Sequence, residues 1–139
     1  MILCMTTDDI GIVEEAYSGY DQNVFGIPYC YLPRHDYVGL LEQTENLFIS
    51  AHGNDAEIGN EEGQPAYTPQ QLAAVLSRYV LPQDYRGRLY ISACGSAPVY
   101  VNSLRATLGA GYRGRVFGMY GDTDYSIAAP GVPPWVAAT

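Results

Sequence analysis

Two short segments of the chain are nearly the same: Leu47-Phe48-Ile49-Ser50-Ala51-His52-Gly53 and Leu89-Tyr90-Ile91-Ser92-Ala93-Cys94-Gly95. Five of the seven positions are identical, and the Phe/Tyr exchange is conservative. The one chemical difference sets an imidazole against a thiol. A thiol close to an imidazole can be deprotonated and made nucleophilic. Glycine follows each of them, which lets backbone approach a substrate and leaves N–H groups to hold an oxyanion. The candidate donors of such a hole are the N–H groups of Gly53 and Cys94. A lone cysteine in an apolar run is usually a small buried hydrophobe, and a lone histidine is usually a satisfied polar residue. What lifts this pair above that reading is its placement, since it uses one of two histidines and one of three cysteines. Cys4 and Cys30 lie inside apolar runs and are expected in the core. His35, between Arg34 and Asp36, is expected in solvent.

The pair can meet only if the intervening elements bring the two segments side by side. Leu47–Ala51 and Arg88–Ala93 read as buried strands. Between them lie a polar, Gly-rich loop over 54–67 and a helix. That helix opens with Thr68-Pro69-Gln70-Gln71, a cap residue, a proline at the first helical position and a glutamine that completes a capping box. Leu72, Val75, Leu76, Tyr79 and Val80 follow at amphipathic spacing until Pro82. A second helix spans roughly 98–108, stops at Gly109 and Gly111, and leads to a third strand, 115–120. Upstream, residues 2–7 form a buried strand running into Asp8-Asp9 as a helix cap. Ile10, Val13, Tyr17 and Tyr20 then mark one face of a short helix, and 25–32, which carries Pro28, reads as a strand nearer the sheet edge.

Strands alternating with helices at this spacing predict a parallel sheet with right-handed crossovers. The fold class is α/β: a three-layer sandwich with a mostly parallel sheet of about five strands flanked by helices. Residues 1–127 form the domain, and 128–139 are a Pro-rich tail, extended and docked by Trp135. His52 and Cys94 then hold equivalent places at the carboxyl ends of neighbouring strands, where open α/β sheets put their ligand sites. Neighbouring strands lie about 4.8 Å apart, close enough for side chains at matching heights to meet.

Composition removes several function classes. The formal net charge is −8 and every basic residue is arginine. An acidic surface repels a phosphate backbone, so no nucleic-acid partner is expected. Without lysine there is neither a P-loop lysine nor Schiff-base chemistry. Three distant cysteines form no disulfide framework and no CxxC site. No apolar stretch reaches the roughly 18 residues of a membrane span, and no signal segment is visible. A cytoplasmic location is expected, or delivery into a host cytosol as an effector. No cofactor is expected and no metal, because the sequence does not group zinc ligands and the acidic stretch Asn54–Glu62 lacks calcium-loop spacing. The string Gly109-Ala110-Gly111-Tyr112-Arg113-Gly114 ends a helix and is read as a cap, not as a dinucleotide fingerprint. Of the thirteen tyrosines, Tyr17, Tyr79 and Tyr90 fall on core faces, while Tyr112, Tyr120 and Tyr125 are placed to rim a cleft.

An apolar strand ending in His-Gly, a crossover helix and an apolar strand ending in Ala-Cys resembles the caspase-like cysteine peptidases: caspases, legumain, clostripain, gingipains and the self-cleaving domains of large bacterial toxins. The resemblance covers 47–121 well and the first 46 residues by strand order alone. It implies His52 as general acid/base, Cys94 as nucleophile, and Gly53 with Cys94 as oxyanion donors, acting on a polypeptide substrate. Self-processing within a larger toxin or effector is also implied. Cys94 follows His52 by 42 residues, which suits one loop, one helix and one strand. Many relatives carry an acid or amide two residues before the cysteine, where it shapes the substrate pocket. Here that residue is Ser92, so a basic preference is not expected from that position. Asp122 and Asp124 are the remaining acids that could line a pocket, although Gly-Asp-Thr-Asp is also an ordinary turn sequence. Two rival readings use the same scaffold: a non-catalytic binding module, and a Cys–His acyltransferase or deamidase.

Overall fold

Ile2–Cys4 (β1) is an apolar run, buried on both sides, and such segments become the inner strands of parallel sheets. In the computed structural model, which describes residues 1–124 and 126–139, β1 lies between Pro28–Cys30 (β2) and Leu47–Ser50 (β3). The sheet continues through Leu89–Ser92 (β7) and Val116–Gly118 (β8) to Val136–Ala137 (β9). Its order is β2-β1-β3-β7-β8-β9, with all pairs parallel except the last. The sheet therefore has six strands, not five. The sixth comes from the 128–139 segment, which returns to the sheet. It is fastened by its pairing with β8 and by the Trp135 ring against Tyr90, while the indole N–H points at the carbonyls of Ala128 and Ala129 within the segment.

The two similar segments lie side by side in register, Leu47 opposite Leu89 through Ser50 opposite Ser92. Paired residues of parallel strands share a face, so the sequence alternation sorts them into two cores. Leu3, Leu47, Ile49, Leu89 and Ile91 face one way and are covered by Pro69–Val75 (α3) and Val99–Leu108 (α4). Ile2, Phe48, Tyr90 and Phe117 face the other way. There the rings of Phe48, Tyr90 and Phe117 stack at 4.9 Å spacings, and Trp135 meets Tyr90 edge-on. This second face is covered by Ile10–Ser18 (α1), the short Gln22–Phe25 (α2) and Ile127. Helices thus lie on both faces of a mostly parallel sheet.

Local signals explain the crossovers. Thr68 and Gln71 close the capping box at α3 as the sequence predicts, and the helix widens into a π-helical turn, Leu76–Val80, before Pro82. Gly109, at φ 71°, caps α4. α1 differs from its expectation. Ile12 and Ala16 are the buried residues, while Ile10 and Tyr17 are exposed. Tyr17 is drawn to the sheet edge instead, where its hydroxyl accepts the Cys30 N–H at 2.8 Å. Tyr112 also departs from its expected place. It is buried at the far end of β8, donating to the Gly87 and Arg115 carbonyls, and the cavity it borders, with Tyr85 and Leu108, is a different one from those of His52 and Cys94. Tyr120 is exposed, and Tyr125 lies outside the described residues.

The expected loop over 54–67 is partly structured. His52–Gly53 (β4), Ile58–Gly59 (β5) and Ala66–Tyr67 (β6) form a separate three-stranded antiparallel sheet. Strands of two residues carry too little pattern to be read from sequence.

Candidate functional site

β3 ends at Ser50, and the chain turns out of the main sheet at His52. Two contacts fix that departure. The Ala51 N–H still donates to the Ser92 carbonyl at 3.3 Å, and the next N–H, of His52, donates to Thr6 Oγ1 at 2.9 Å. Thr6 lies just past β1, is buried, and donates in turn to the Gly59 carbonyl. One hydroxyl therefore ties the end of β1 to both β4 and β5.

Cys94 is presented by a tight turn. The Ser96 N–H donates to the Ala93 carbonyl at 3.2 Å, so Cys94 and Gly95 are the central residues, and Gly95 takes the positive φ, 63°, that a glycine tolerates. Ser96 anchors the turn from below. Its buried hydroxyl donates to Ile91 O and accepts Met119 N–H, both at 3.0 Å. From the other side the Thr123 N–H donates to Cys94 Sγ at 3.2 Å.

His52 is oriented by a residue that the sequence reading assigned only a capping role. Asp9 caps α1 by accepting the Gly11 N–H on Oδ1 at 3.0 Å, and its Oδ2 lies 2.7 Å from His52 Nε2. A carboxylate accepts, so Nε2 carries the proton and Nδ1 is the basic ring nitrogen. Glu61 Oε2 is 3.8 Å from the same Nε2. The Glu61 segment is itself held, because the Asp8 carboxylate accepts the N–H groups of Glu62 and Glu61, which keeps that carboxyl below its ordinary pKa range. Asp9, His52 and Glu61 thus bring one ligand atom each within 4.8 Å of one another. The sequence groups no metal ligands along the chain, but the fold assembles these three, and they are the residues that could hold a divalent ion.

His52, Gly53, Cys94 and Asp122 line one cavity of about 280 Å³. A second, of about 330 Å³, is bounded by His52 and Cys94 together with Ser92, Asp122 and Asp124. His52, Gly53, Ser92, Cys94, Asp122 and Asp124 therefore converge on one place at the carboxyl ends of β3 and β7, and Tyr112 and Tyr120 do not line it. The pairing of β4 with β5 fixes the direction of the Gly53 N–H. Asn54 N–H donates to Glu57 O at 3.1 Å, which makes the adjoining Gly53–Ile58 pair the non-hydrogen-bonded kind, with its N–H turned away from β5. No side chain fits there, since a Cβ on Gly53 would lie 2.8 Å from Ile58 Cγ2 and 2.9 Å from Ala93 Cβ.

Sequence reasoning missed Asp9, Thr6, Thr123 and Glu61. Ser50 was in view within the repeated segment, yet nothing marked it as part of a pocket. Among the described residues no helix is long and apolar enough to cross a membrane. Compared with known proteins, the chain matches no family model, and no similar curated protein or solved structure is found.

Proposed function

We propose that the chain is a cysteine peptidase of caspase-like type, with Cys94 as nucleophile and His52 as general acid/base. The observation that carries this reading is the convergence of the two side chains on one cavity from adjacent parallel strands, with His52 held at 2.7 Å by a buffering carboxylate, Asp9. In the first half-reaction the Cys94 sulfur forms a bond to the peptide carbonyl carbon as its thiol proton passes to His52. The C–N bond then breaks, and the departing amine takes that proton. In the second, water attacks the thioester carbon as His52 takes its proton, the C–S bond breaks to release the carboxylic acid, and His52 returns the proton to the sulfur. In this reading the Gly53 and Cys94 amides hold the oxyanion in both.

Alkylation by iodoacetamide, read cysteine by cysteine from peptide masses, tests the dyad. The expected result is that Cys94 reacts fastest at neutral pH and that His52→Ala slows it by about tenfold or more. Equal rates in the two proteins would leave a binding module on the same scaffold. Product mass from a peptide substrate separates hydrolysis from acyl transfer or deamidation.

A second reading is favoured by the Asp9–His52–Glu61 group, whose three donors match the nitrogen and oxygen ligands of a divalent-ion site. Chelation separates the two. EDTA is expected to leave Cys94 alkylation unchanged, and a fall of about tenfold would make the group a metal centre.

A further inference from the structure

We infer that the cavity beside Cys94 receives a long cationic side chain, arginine above all, of the peptide whose following bond is cut. This rests on Cys94 as the nucleophile and adds the substrate class. At about 330 Å³ the cavity is at the small end of ligand pockets, which run from about 300 to 1,000 Å³, and suits one extended side chain.

Its floor carries the first observation. Ser50 and Ser92, on β3 and β7, are opposite each other in register, so both hydroxyls are on the same face. They are 4% and 5% exposed, and both border the cavity. Among the described residues neither hydroxyl has a hydrogen-bond partner. Neither oxygen is sealed off, since among the described residues the enclosed side-chain oxygen without a partner is Tyr90 Oη; both hydroxyls open onto the cavity. Two such hydroxyls at the bottom of a pocket call for a ligand with several donors.

The walls carry the second observation. Among the described residues, Asp122, Asp124 and Glu61 border the cavity, and no arginine does. The other ionisable groups there, among the described residues, are His52 and Cys94, which the reaction uses. The loop that brings the two aspartates is fastened at the nucleophile by Thr123 and turned by the Asp124 carboxylate, which accepts the Ser126 N–H at 2.8 Å. A guanidinium offers five N–H donors in a planar fork, enough for both hydroxyls and the carboxylates above. Ile12 of α1 adds an apolar wall for its methylene stem. An acidic side chain would meet three like charges, and an apolar one would leave the hydroxyls unpaired. Ser92 itself carries no charge, and so by itself sets no basic preference. In the fold the charge comes from the loop after β8.

Two measurements test the inference separately from the dyad. In the first, Nα-acetyl-arginine methylamide and its neutral citrulline isostere are titrated calorimetrically into the Cys94→Ala protein. The arginine compound is expected to bind about tenfold more tightly or better. In the second, peptidyl chloromethyl ketones ending in arginine, citrulline, norleucine or glutamate label the wild-type protein, with iodoacetamide as the reference. The arginine ketone is expected to label Cys94 about tenfold faster than the others. With each ketone rate divided by the same protein's iodoacetamide rate, Asp122→Asn combined with Asp124→Asn should bring both ratios within about twofold. Equal affinity for arginine and citrulline, or a preference that survives the double substitution, overturns the pocket assignment. If iodoacetamide finds Cys94 inert, the nucleophile fails, while the calorimetry still decides the pocket.

Discussion

Asp9 serves two elements with one carboxylate, capping α1 through Oδ1 and holding His52 through Oδ2. The two roles are separable by substitution, because asparagine caps a helix about as well as aspartate but carries no charge for the imidazole. Asp9→Asn is expected to change the unfolding free energy by less than about 0.5 kcal/mol while slowing His52-dependent alkylation of Cys94 about tenfold or more. Urea titration reads the first and peptide mass the second. An unaltered alkylation rate would reduce Asp9 to a cap. At this scale the sequence was informative in a limited way. His52 and Cys94 stood out because they replace each other within otherwise matching segments. Asp9 did not, because an acid ahead of a helix has a sufficient local explanation, and nothing along the chain places it beside a residue 43 positions away.

Among the elements, the turn that presents Cys94 depends on Ser96. Its hydroxyl is the acceptor for Met119 N–H and a donor to Ile91 O, so it joins β7 to the strand beside it. Ser96→Ala leaves that amide buried without its acceptor, and is expected to destabilise the protein by about 1–3 kcal/mol in urea or thermal unfolding. The valley beneath it is tight, since a Cβ on Gly118 would come within 2.9 Å of Ser96 Oγ, so no larger side chain restores the contact from that side. A loss below about 0.5 kcal/mol would mean that water reaches Met119 and that the turn is held by its backbone bonds alone. The long elements were legible from sequence: α3 with its capping box, α4 with its glycine stop, and the three inner strands. The two-residue strands β4, β5, β6 and β9 were not, because two residues carry no readable alternation, whether they pair with near neighbours, as β4, β5 and β6 do, or with β8, as β9 does. The rotation of α1 escaped for a related reason. Tyr17 reads as apolar in a periodicity count, yet its hydroxyl is recruited by an edge-strand amide.

Across the whole molecule, several protons are held more tightly in the fold than in the open chain. Burial pushes the Cys4 thiol up to about 11, and burial also raises the phenols of Tyr85, Tyr100 and Tyr112. A thiol in the unfolded chain ionises near about 8.5. Stability from Cys4 is therefore complete below that pH and falls as the pH rises toward its folded value, and the phenols add the same sign from about pH 10 upward. Urea midpoints are expected to drop between about pH 8.5 and 10.5, with Cys4 contributing about 1–3 kcal/mol. Cys4→Ala should flatten the lower part of that profile. A midpoint that holds steady through this range would show that Cys4 ionises in the fold as it does in the open chain.

What the sequence by itself determined was the α/β alternation and the equivalence of two strand ends, because hydrophobic periodicity and end signals are local. Only the tertiary structure decided which acids meet His52, which hydroxyls floor the pocket and where the last strand docks. Those depend on register and on loop closure between residues far apart in the chain, where local composition carries no information about distance.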